Sequence, residues 1–412
     1  MYKSISKIVL NEGYENSKVF FDRGNKDKVF SKNKPYIDLS NCAGSLILGH
    51  NSKVYRDASK KYLKNKISIF AHPNIHSINF ANNIKKKFKN FSKIVFCNSG
   101  TEAIIKSLRI ARALNNKKYV VSVVGSWHGS VDKLLFYPNK KLKPQFLSSG
   151  LENSDKKNLI FIPYNDIEAS KKILNKVKKN INCIIIEPVQ ASLPVESSKE
   201  YLKFLSQFCK KNKIILIFDE MITGLRSYKD SVQNYYKIFP EITTLGKVIG
   251  GGLPIGVIGI NKEISNKLKK KNVFFGGTFS GNSLSTYIGN ETLKFLLKNK
   301  NIRKNLNLKS KYFQEQLNSF FRINNLSIKV YRFASILRIV FTDKKITNRM
   351  QRDFFERKIL LKIKKLKLYL FKNGIFLPPN GIIFFSDSTS YKSINFIIKS
   401  FKIGTKKFFN KY

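Results

Sequence analysis

Acidic residues are scarce in this 412-residue chain: 26 Asp and Glu stand against 77 Lys and Arg, which leaves a formal net charge of +51. A balance of this kind is typical of proteins that bind nucleic acid or an anionic membrane surface. The lysines, however, are spread along the whole chain, and the abundant Asn, Ile, Phe and Tyr share AT-rich codons with Lys. We therefore interpret the charge as composition bias and expect neither a specific nucleic-acid partner nor a membrane partner.

Cysteine and histidine, the usual metal ligands, are also few. The four cysteines lie far apart and form no CxxC pair: Cys42, Cys97, Cys183 and Cys209. The four histidines form no HExxH pattern, and Pro73 argues against a helical pairing of His72 with His76. These absences argue against a disulfide framework and a zinc site, so we expect no metal and a reducing, cytoplasmic location.

Long hydrophobic runs are missing as well. The longest uncharged stretch near the middle, Val248–Asn261, is rich in glycine and too short to cross a bilayer. Residues Met1–Tyr14 show neither the apolar region nor the cleavage pattern of a signal peptide. What is abundant is apolar surface, since 42% of the residues are hydrophobic. This composition excludes a disordered chain and predicts a soluble globular protein with a sizeable core.

From about residue 93 to residue 260, short apolar runs alternate with helical patterns. The expected strands are Lys93–Cys97, Tyr119–Val124, Leu159–Ile162, Cys183–Ile186, Ile214–Phe218, Ile242–Thr244 and Gly256–Ile260. The expected helices are Thr101–Leu114, Asp166–Lys179 and Lys199–Asn212. This alternation predicts an α/β fold with a mostly parallel sheet, which binds ligands at the carboxyl ends of its strands.

The two ends of the chain have the pattern of a smaller α+β domain. The expected strands there are Val19–Asp22, Tyr36–Leu39, Ile328–Tyr331, Ile336–Phe341, Ile375–Leu377 and Ile382–Phe385. The expected helices are Asn282–Leu297, which leads out of the large domain, then Gln351–Lys372 and Tyr391–Phe401, before a frayed tail at Lys406–Tyr412. We expect residues 46–297 to form the large domain, residues 298–412 to form the small domain, and residues 1–45 to join the small one.

Two short segments follow strands and suit a flat, phosphorylated ligand. Asn98–Glu102 opens a helix, whose free N–H groups and positive dipole end favour a phosphate. An ordinary helix cap by Ser99 or Thr101 is the alternative. In Ser126–Gly129, Trp127 is the only Trp of the chain, and it could stack on a ring or pack in the core.

Two further segments put charged groups in apolar surroundings. Asp219 and Glu220 end an apolar strand, and a buried carboxylate needs a partner such as a protonated ring nitrogen, an Arg or a metal. Lys247 is flanked by apolar residues and glycines, where desolvation lowers the pKa of an amine and makes it a nucleophile toward aldehydes. A phosphate-binding Lys is the alternative, but the P-loop pattern GxxxxGK[ST] is absent.

These four parts match the needs of pyridoxal 5'-phosphate. Its phosphate suits a helix N-terminus, its ring suits an aromatic side chain, its pyridinium nitrogen pairs with a carboxylate, and its aldehyde forms a Schiff base with a Lys. All four parts fall at the strand ends of one α/β domain.

With these segments, the chain resembles the class III, fold type I pyridoxal-phosphate aminotransferases, and most closely their glutamate-1-semialdehyde 2,1-aminomutase branch. The resemblance runs from about Tyr36 to Phe401. It is densest in five blocks that follow the order of the family: Leu48–His50, Asn98–Arg112, Phe218–Arg226, Thr243–Gly256 and Gly276–Asn282.

The resemblance implies a role for each site residue. Lys247 would carry the cofactor as a Schiff base and move protons, and Asp219 would pair with the pyridinium nitrogen. The implied cofactor-binding set also includes Ser99, Gly100 and Thr101 at the phosphate, Trp127 and His128 at one face of the ring, Met221 at the other, and Glu187 near the site. Thr278 would reach the phosphate of a neighbouring subunit, which implies a homodimer with shared active sites.

The part of the site that binds substrate departs from the aminomutase branch. The Arg of its N-terminal Ser-Pro-Val-Arg block is missing from Met1–Asp38, Asn41–Gly44 stands where the branch has a Trp, and Asn380–Ile382 replaces a Phe-Glu after a Pro pair. Ile222, by contrast, is nearer to the Met of that branch than to the Gln of many other class III enzymes, and Gln190 is a polar candidate without a role. We therefore expect an aminotransferase that acts on a small-molecule amino donor and a separate carbonyl acceptor. The alternatives are a true aminomutase and, more remotely, a basic nucleic-acid- or membrane-binding protein on an inactive scaffold.

Overall fold

The computed structural model describes residues 20–195 and 199–409. Its strands are β1 Arg23–Asn25, β2 Lys28–Ser31, β3 Lys34–Asp38, β4 Lys93–Cys97, β5 Tyr119–Val123, β6 Phe136–Pro138, β7 Pro144–Phe146, β8 Leu159–Ile162, β9 Ile181–Ile186, β10 Ile215–Asp219, β11 Ile242–Gly246, β12 Gly256–Ile260, β13 Lys329–Phe333, β14 Ile336–Val340, β15 Ile375–Phe376 and β16 Ile382–Phe384. Its α-helices, leaving aside a short kinked turn at Asn41–Gly44, are α1 Lys53–Lys64, α2 Ile75–Lys87, α3 Gly100–Leu114, α4 Asn153–Asn158, α5 Ile167–Val177, α6 Lys199–Asn212, α7 Val232–Tyr236, α8 Lys262–Leu268, α9 Ser283–Lys298, α10 Asn301–Ile323, α11 Arg349–Arg357, α12 Leu360–Lys372 and α13 Tyr391–Phe409. None of these helices combines the length and the apolar character that a membrane span requires.

A seven-stranded sheet lies at the centre of the fold, in the order β4-β12-β11-β10-β9-β5-β8. Only β12 runs antiparallel to its neighbours, so the expected mostly parallel sheet is confirmed. Successive residues of a strand point to opposite faces. In β10, Ile217 accordingly packs in the same cluster as Leu108 of α3, whereas Leu216 packs with Leu205 of α6. Both faces of the sheet are therefore covered, as the apolar runs predict.

Strands from both ends of the chain share a second sheet, in the order β1-β2-β3-β15. Ile37 of β3 pairs in parallel with Ile375 of β15. A third sheet, β13-β14-β16, packs on the same apolar core, to which α10 contributes Phe313 and α13 contributes Phe401. The domain boundaries after residues 45 and 297 stay a prediction.

Three expected elements differ from the structure. The helix expected over Gln351–Lys372 is two helices, because α11 buries Arg352 and Glu356, whereas α12 buries a separate apolar stripe. The last helix continues to Phe409, whose ring stacks on that of Phe341 at 4.9 Å, so the residues from Lys406 to Phe409 are not frayed. Residues 20–22 are not a strand; the remainder of that expected strand, and residues 410–412 of the expected tail, lie outside the described residues.

Arg226 joins segments that are distant in the chain. Its side chain is fully buried, and its Nη2 donates to the carbonyl oxygen of Gly44 at 2.9 Å while its Nη1 donates to that of Phe385 at 3.0 Å. The guanidinium group lies 5.1 Å from the centre of the Phe384 ring. Burial lowers the pKa of Arg226 to about 9. This cation is therefore held by backbone oxygens and a π face rather than by a carboxylate.

We expect Arg226→Ala to lower the free energy of unfolding by about 3 kcal/mol, because two buried carbonyl groups lose their donor and a cavity remains. Denaturant unfolding followed by circular dichroism measures the effect. Arg322→Ala, at an exposed position of α10, is the matched control and should change stability by no more than about 0.5 kcal/mol. Equal stability of the two variants would contradict this role of Arg226.

Candidate functional site

The parallel pairing of β10 with β11 brings an acid and an amine to one edge of the central sheet. Asp219 is the last residue of β10 and pairs with Thr244 of β11, and Lys247 follows the end of β11 directly. Lys247 has a left-handed backbone with φ of 50° and begins a tight turn. Burial lowers the pKa of its ammonium group, while the negative charges of Asp219 and Glu187 partly oppose that shift. Lys247 therefore lies in surroundings that suit a nucleophilic amine.

The Asp219 carboxylate is fixed through both of its oxygens. Oδ2 lies 2.8 Å from Nδ1 of His128, and the two side chains are buried. Oδ1 accepts from the backbone N–H of Met221 at 3.1 Å and from the hydroxyl of Thr244 at 3.3 Å. The Nε2 atom of His128 is buried without a partner among the described residues. A carboxylate held in this way keeps its position and remains able to accept from one more donor.

Glu187 follows β9, the strand on the other side of β10. Its Oε1 accepts from the backbone N–H of Trp127 at 2.7 Å, and its Oε2 accepts from that of Ala191 at 3.4 Å. Desolvation and the nearby charge of Asp219 raise the pKa of Glu187 to about 7, against an opposing effect of His128 and the two backbone donors. This carboxyl group therefore exchanges its proton near neutral pH.

The N-terminus of α3 borders the same edge of the sheet. Ser99 caps the helix by accepting from the N–H of Glu102 at 3.1 Å, which leaves its own hydroxyl hydrogen free to donate elsewhere. The hydroxyl of Thr101 accepts from the N–H of Ser130 at 3.2 Å and so joins the loop after β5 to the first turn of α3. The cap that was the alternative explanation for Ser99 is present, and it is compatible with an anion site at the helix end.

Met221, which follows β10 closely, packs between two glycines. A Cβ atom at Gly246 would lie 2.5 Å from the Met221 sulfur, and one at Gly100 would lie 3.0 Å from it. Any side chain at Gly246 would therefore displace Met221. The tight contact accounts for glycine at the end of β11, while at the start of α3 a larger residue would require Met221 to shift slightly.

The side chains of two expected site residues, Trp127 and Thr278, do not pack in this cluster. Trp127 leaves 51% of its surface exposed, so within this chain its ring is at most half covered. Thr278 is exposed, and its carbonyl oxygen accepts from the N–H of Ala71. The other expected residues lie along the edge formed by β10, β11, the loops after β5 and β9, and the start of α3: Ser99, Gly100, Thr101, His128, Glu187, Asp219, Met221 and Lys247.

Thr244 and Ser126 are polar neighbours of the site to which the sequence assigned no role, although both lie in segments that it singled out. Ser126 Oγ lies 3.3 Å from Nε2 of Gln190, whose own Oε1 is buried without a partner among the described residues. Thr244 could have been found, because it lies on the strand beside Asp219 and three residues before Lys247. Within residues 20–195 and 199–409, no group of three or more His, Cys, Asp or Glu side chains is arranged to hold a metal ion.

Comparisons with known proteins point to one family. The profile of the family described as Aminotransferase class-III matches residues 9–370. A glutamate-1-semialdehyde 2,1-aminomutase from Thermosipho africanus is 33% identical over 401 residues, which cover 94% of this chain and 92% of that protein. Further curated relatives from bacteria and archaea carry the same name.

Solved structures share the fold at low sequence identity. An omega-transaminase from Sphaerobacter thermophilus superposes with a TM-score of 0.89 at 19% identity and covers 98% of this chain and 96% of its own. A variant of a glutamate-1-semialdehyde aminomutase from Pseudomonas aeruginosa, in complex with PMP, has a TM-score of 0.86 at 17% identity, covering 96% of this chain and 89% of its own.

Because the pKa of Glu187 is raised, we expect the free energy of unfolding to fall as the pH rises toward neutrality. Between its ordinary pKa of 4.5 and the folded value of about 7, the folded protein holds a proton that the unfolded chain has released, so stability falls as the pH rises. Glu187→Gln mimics the protonated carboxyl group and lacks this dependence. Between pH 4.5 and pH 7 the wild type should therefore lose about 3 kcal/mol relative to the variant.

Urea unfolding across this pH range measures that difference. Glu263→Gln, at an exposed position of α8, is the matched control and should keep the dependence of the wild type. Parallel pH curves for the wild type and Glu187→Gln would show that Glu187 carries no such proton.

Proposed function

Because the chain belongs to the class III aminotransferase family, we propose that it moves an amino group between small molecules with pyridoxal 5'-phosphate as its cofactor. The observation that carries this proposal is that Lys247 lies near Asp219 and Glu187 at the edge of the central sheet. An amine whose pKa is lowered by burial, beside a carboxylate fixed by hydrogen bonds, is the pair that this cofactor needs.

The residues present fit the cofactor in three respects. Asp219 can accept from a pyridinium nitrogen, since His128, Thr244 and Met221 leave it capacity for another donor. The start of α3 presents helix N–H groups and the Ser99 hydroxyl to a phosphate. The close packing of Met221 against Gly246 puts an apolar side chain beside the residue before Lys247, where it could lie against a flat ring.

Each side chain of the site would then have a defined task. When bound, pyridoxal phosphate supplies an aldehyde and an electron-withdrawing ring. Lys247 would hold the aldehyde carbon through Nζ and, once an amino donor displaces it, move a proton with the same atom. Asp219 would keep the ring nitrogen protonated, and the His128 contact orients its Oδ2. Glu187, which holds a proton near neutral pH, would lie beside the ring with its backbone partners keeping it in place.

The reaction we propose is transfer from an amino donor to a separate carbonyl acceptor. The support is the sequence, which lacks the Ser-Pro-Val-Arg block of the aminomutase branch in Met1–Asp38 and has Asn380–Ile382 in place of its Phe-Glu. Many curated relatives are named glutamate-1-semialdehyde 2,1-aminomutase, and their names favour the intramolecular reaction as the second candidate.

We also propose a two-fold dimer in the cytoplasm. Several large apolar side chains close to Thr278 in the sequence or in contact with its neighbours are exposed in the single chain, and the most exposed is Phe274 at 74%. Phe70 and Phe279 form an edge-to-face pair that is itself partly exposed, beside Thr278. Covering this surface with a second copy would bury the apolar patch and bring Thr278 to the site of the neighbouring subunit. The scattered cysteines, all four of them free in the described residues, fit a reducing compartment.

Borohydride reduction of the holoprotein should place the cofactor label on Lys247, because a desolvated amine reacts with an aldehyde as its neutral form. The measurement is peptide mapping by mass spectrometry together with the visible absorbance spectrum. Lys247→Ala should lose the label and the visible band. Lys309→Ala is the matched control, because Lys309 is also a buried lysine with a lowered pKa but lies on α10. A label on another lysine would refute the proposed role.

Two assays separate the candidate reactions: glutamate 1-semialdehyde alone, and an amino donor with an added carbonyl acceptor. For an intermolecular aminotransferase we expect formation of 5-aminolevulinate to be at least about tenfold slower than amino transfer to an added carbonyl acceptor from a small panel. Coupled chromatography of both products measures the ratio. Rapid, complete conversion without an acceptor would establish the aminomutase instead.

A further inference from the structure

One face of the three-stranded sheet β13-β14-β16 lies against the candidate site. Alternate residues of β14 share this face. Ile336 packs in a cluster with Ala191 and Ile222, the latter three residues after Asp219, and Val340 packs with Leu193. Arg338 lies between these two positions of β14 and therefore faces the turn that follows Glu187.

Arg338 is buried but only partly hydrogen-bonded. Its Nη2 donates to Oε2 of Glu356 at 3.2 Å. Its Nε and Nη1 atoms have no partner within the described residues, although the side chain is only 9% exposed. Nη1 occupies the space that a side chain at Gly381 would fill. A buried guanidinium group with two unpaired donor atoms is costly, and the cost favours binding of an acceptor that residues 20–195 and 199–409 do not supply.

The surroundings of Arg338 carry an excess of positive charge. Glu356 is shared, since its Oε2 also lies 3.5 Å from Nε of Arg352. Arg349 and Arg352 both pair with Asp353, which is half exposed. Three arginines thus meet two carboxylates. Burial and the charge of Arg352 lower the pKa of Arg338 to about 10, so it is still a cation at neutral pH.

This cluster is joined to the loops that carry the site residues. Arg352 donates through Nη1 to the carbonyl oxygen of Ser192. The hydroxyl of Ser192 donates to the carbonyl oxygen of Gly125 at 3.2 Å. Gly125 directly precedes the segment that contains Trp127, whose N–H binds Glu187. The Arg352 guanidinium group therefore borders the loops after β5 and β9.

We propose that Arg338 binds a carboxylate of the substrate through its idle Nε or Nη1 donor. The inference rests on the proposed function, because it places the reacting amine or carbonyl at Lys247 and the carboxylate at the wall formed by β14. Charge-assisted hydrogen bonds to a carboxylate are the strongest that a guanidinium group forms. The substrates are accordingly amino acids and keto or aldehyde acids, and simple amines are poor donors.

The test compares amino acids with the amines that they would leave on decarboxylation. L-alanine is paired with ethylamine and 4-aminobutyrate with n-propylamine, and stopped-flow absorbance of the holoenzyme follows the half-reaction. We expect the wild type to prefer at least one amino acid over its paired amine by about tenfold or more. Arg338→Gln should lose about 10- to 100-fold on that amino acid and less than about 3-fold on the amine, a change of the size expected for one charge-assisted hydrogen bond.

Two further variants separate binding from folding. Arg338→Lys keeps the charge and should fall between the wild type and Arg338→Gln. Arg332→Gln is the matched control: Arg332 lies on the neighbouring strand, its Nε and Nη1 donate to Gln314 and Asn307, and it should leave the preference for the amino acid unchanged. Equal losses on the amino acid and the amine in Arg338→Gln, or equal rates with both in the wild type, would overturn the proposal.

A binding measurement distinguishes a failure of the proposed role of Arg338 from a failure of the proposed function. Glutarate and the uncharged glutaramide are titrated calorimetrically into the full-length protein. We expect Arg338→Gln to weaken glutarate binding by about tenfold and to leave glutaramide unchanged. A protein that takes up no cofactor would refute the proposed function. Glutarate binding would still show whether Arg338 binds a carboxylate. Equal glutarate affinity in the wild type and Arg338→Gln, or no binding in the wild type, would overturn the role of Arg338 whatever the chemistry at Lys247.

Discussion

The candidate site depends on one constraint, the burial of a carboxylate and an amine at the ends of two neighbouring parallel strands. Asp219 and Lys247 come to the same edge of the sheet because β10 and β11 run side by side with Asp219 paired to Thr244. An isolated carboxylate there would be costly, but His128, Thr244 and the Met221 N–H all contact Asp219. Because these partners come from three segments, the carboxylate is fixed only when the whole edge of the sheet has assembled.

The two sides of the site have different origins in the chain. The proposed anion site and the segment around Met221 come from the central sheet and the first turn of α3, where Gly100 and Gly246 allow close contact with Met221. The other side comes from β14 and α11, whose charged side chains meet across Glu356. Arg226, within the block that contains Asp219, donates to the carbonyl oxygens of Gly44 and Phe385, and its own carbonyl oxygen accepts from the hydroxyl of Ser335, directly before β14. Small changes on the wall formed by β14 could therefore alter the choice of substrate without disturbing the segment around Met221.

Much of this could be predicted from the sequence, because local signals determine it. Apolar runs located all seven strands of the central sheet, and the isolation of Lys247 among glycines marked it as unlike the other lysines. The contact between His128 and Asp219 could not be predicted, since the two residues are 91 positions apart and meet only through the order of the strands. The direction of Arg338 depends on the register of β14 with β16, which no local pattern reveals. Two separate helices replaced the one expected near residue 358 because α11 buries charged residues, which hydrophobic periodicity does not register.

Exposed and buried positive charges have different causes in this chain. A composition bias toward Lys places lysines mainly at exposed positions, because a charged side chain there costs little stability. Buried cations are constrained, and each has a specific environment: Arg226 meets carbonyl oxygens, Lys309 donates to the Asp387 carbonyl, and Lys247 lies near two carboxylates. Arg338 departs from that pattern, because two of its donors have no acceptor in the described chain. Composition bias explains an excess of exposed lysines but not an arginine that is buried with idle donors, so the physical cost of that arrangement is the reason to seek its acceptor in the substrate.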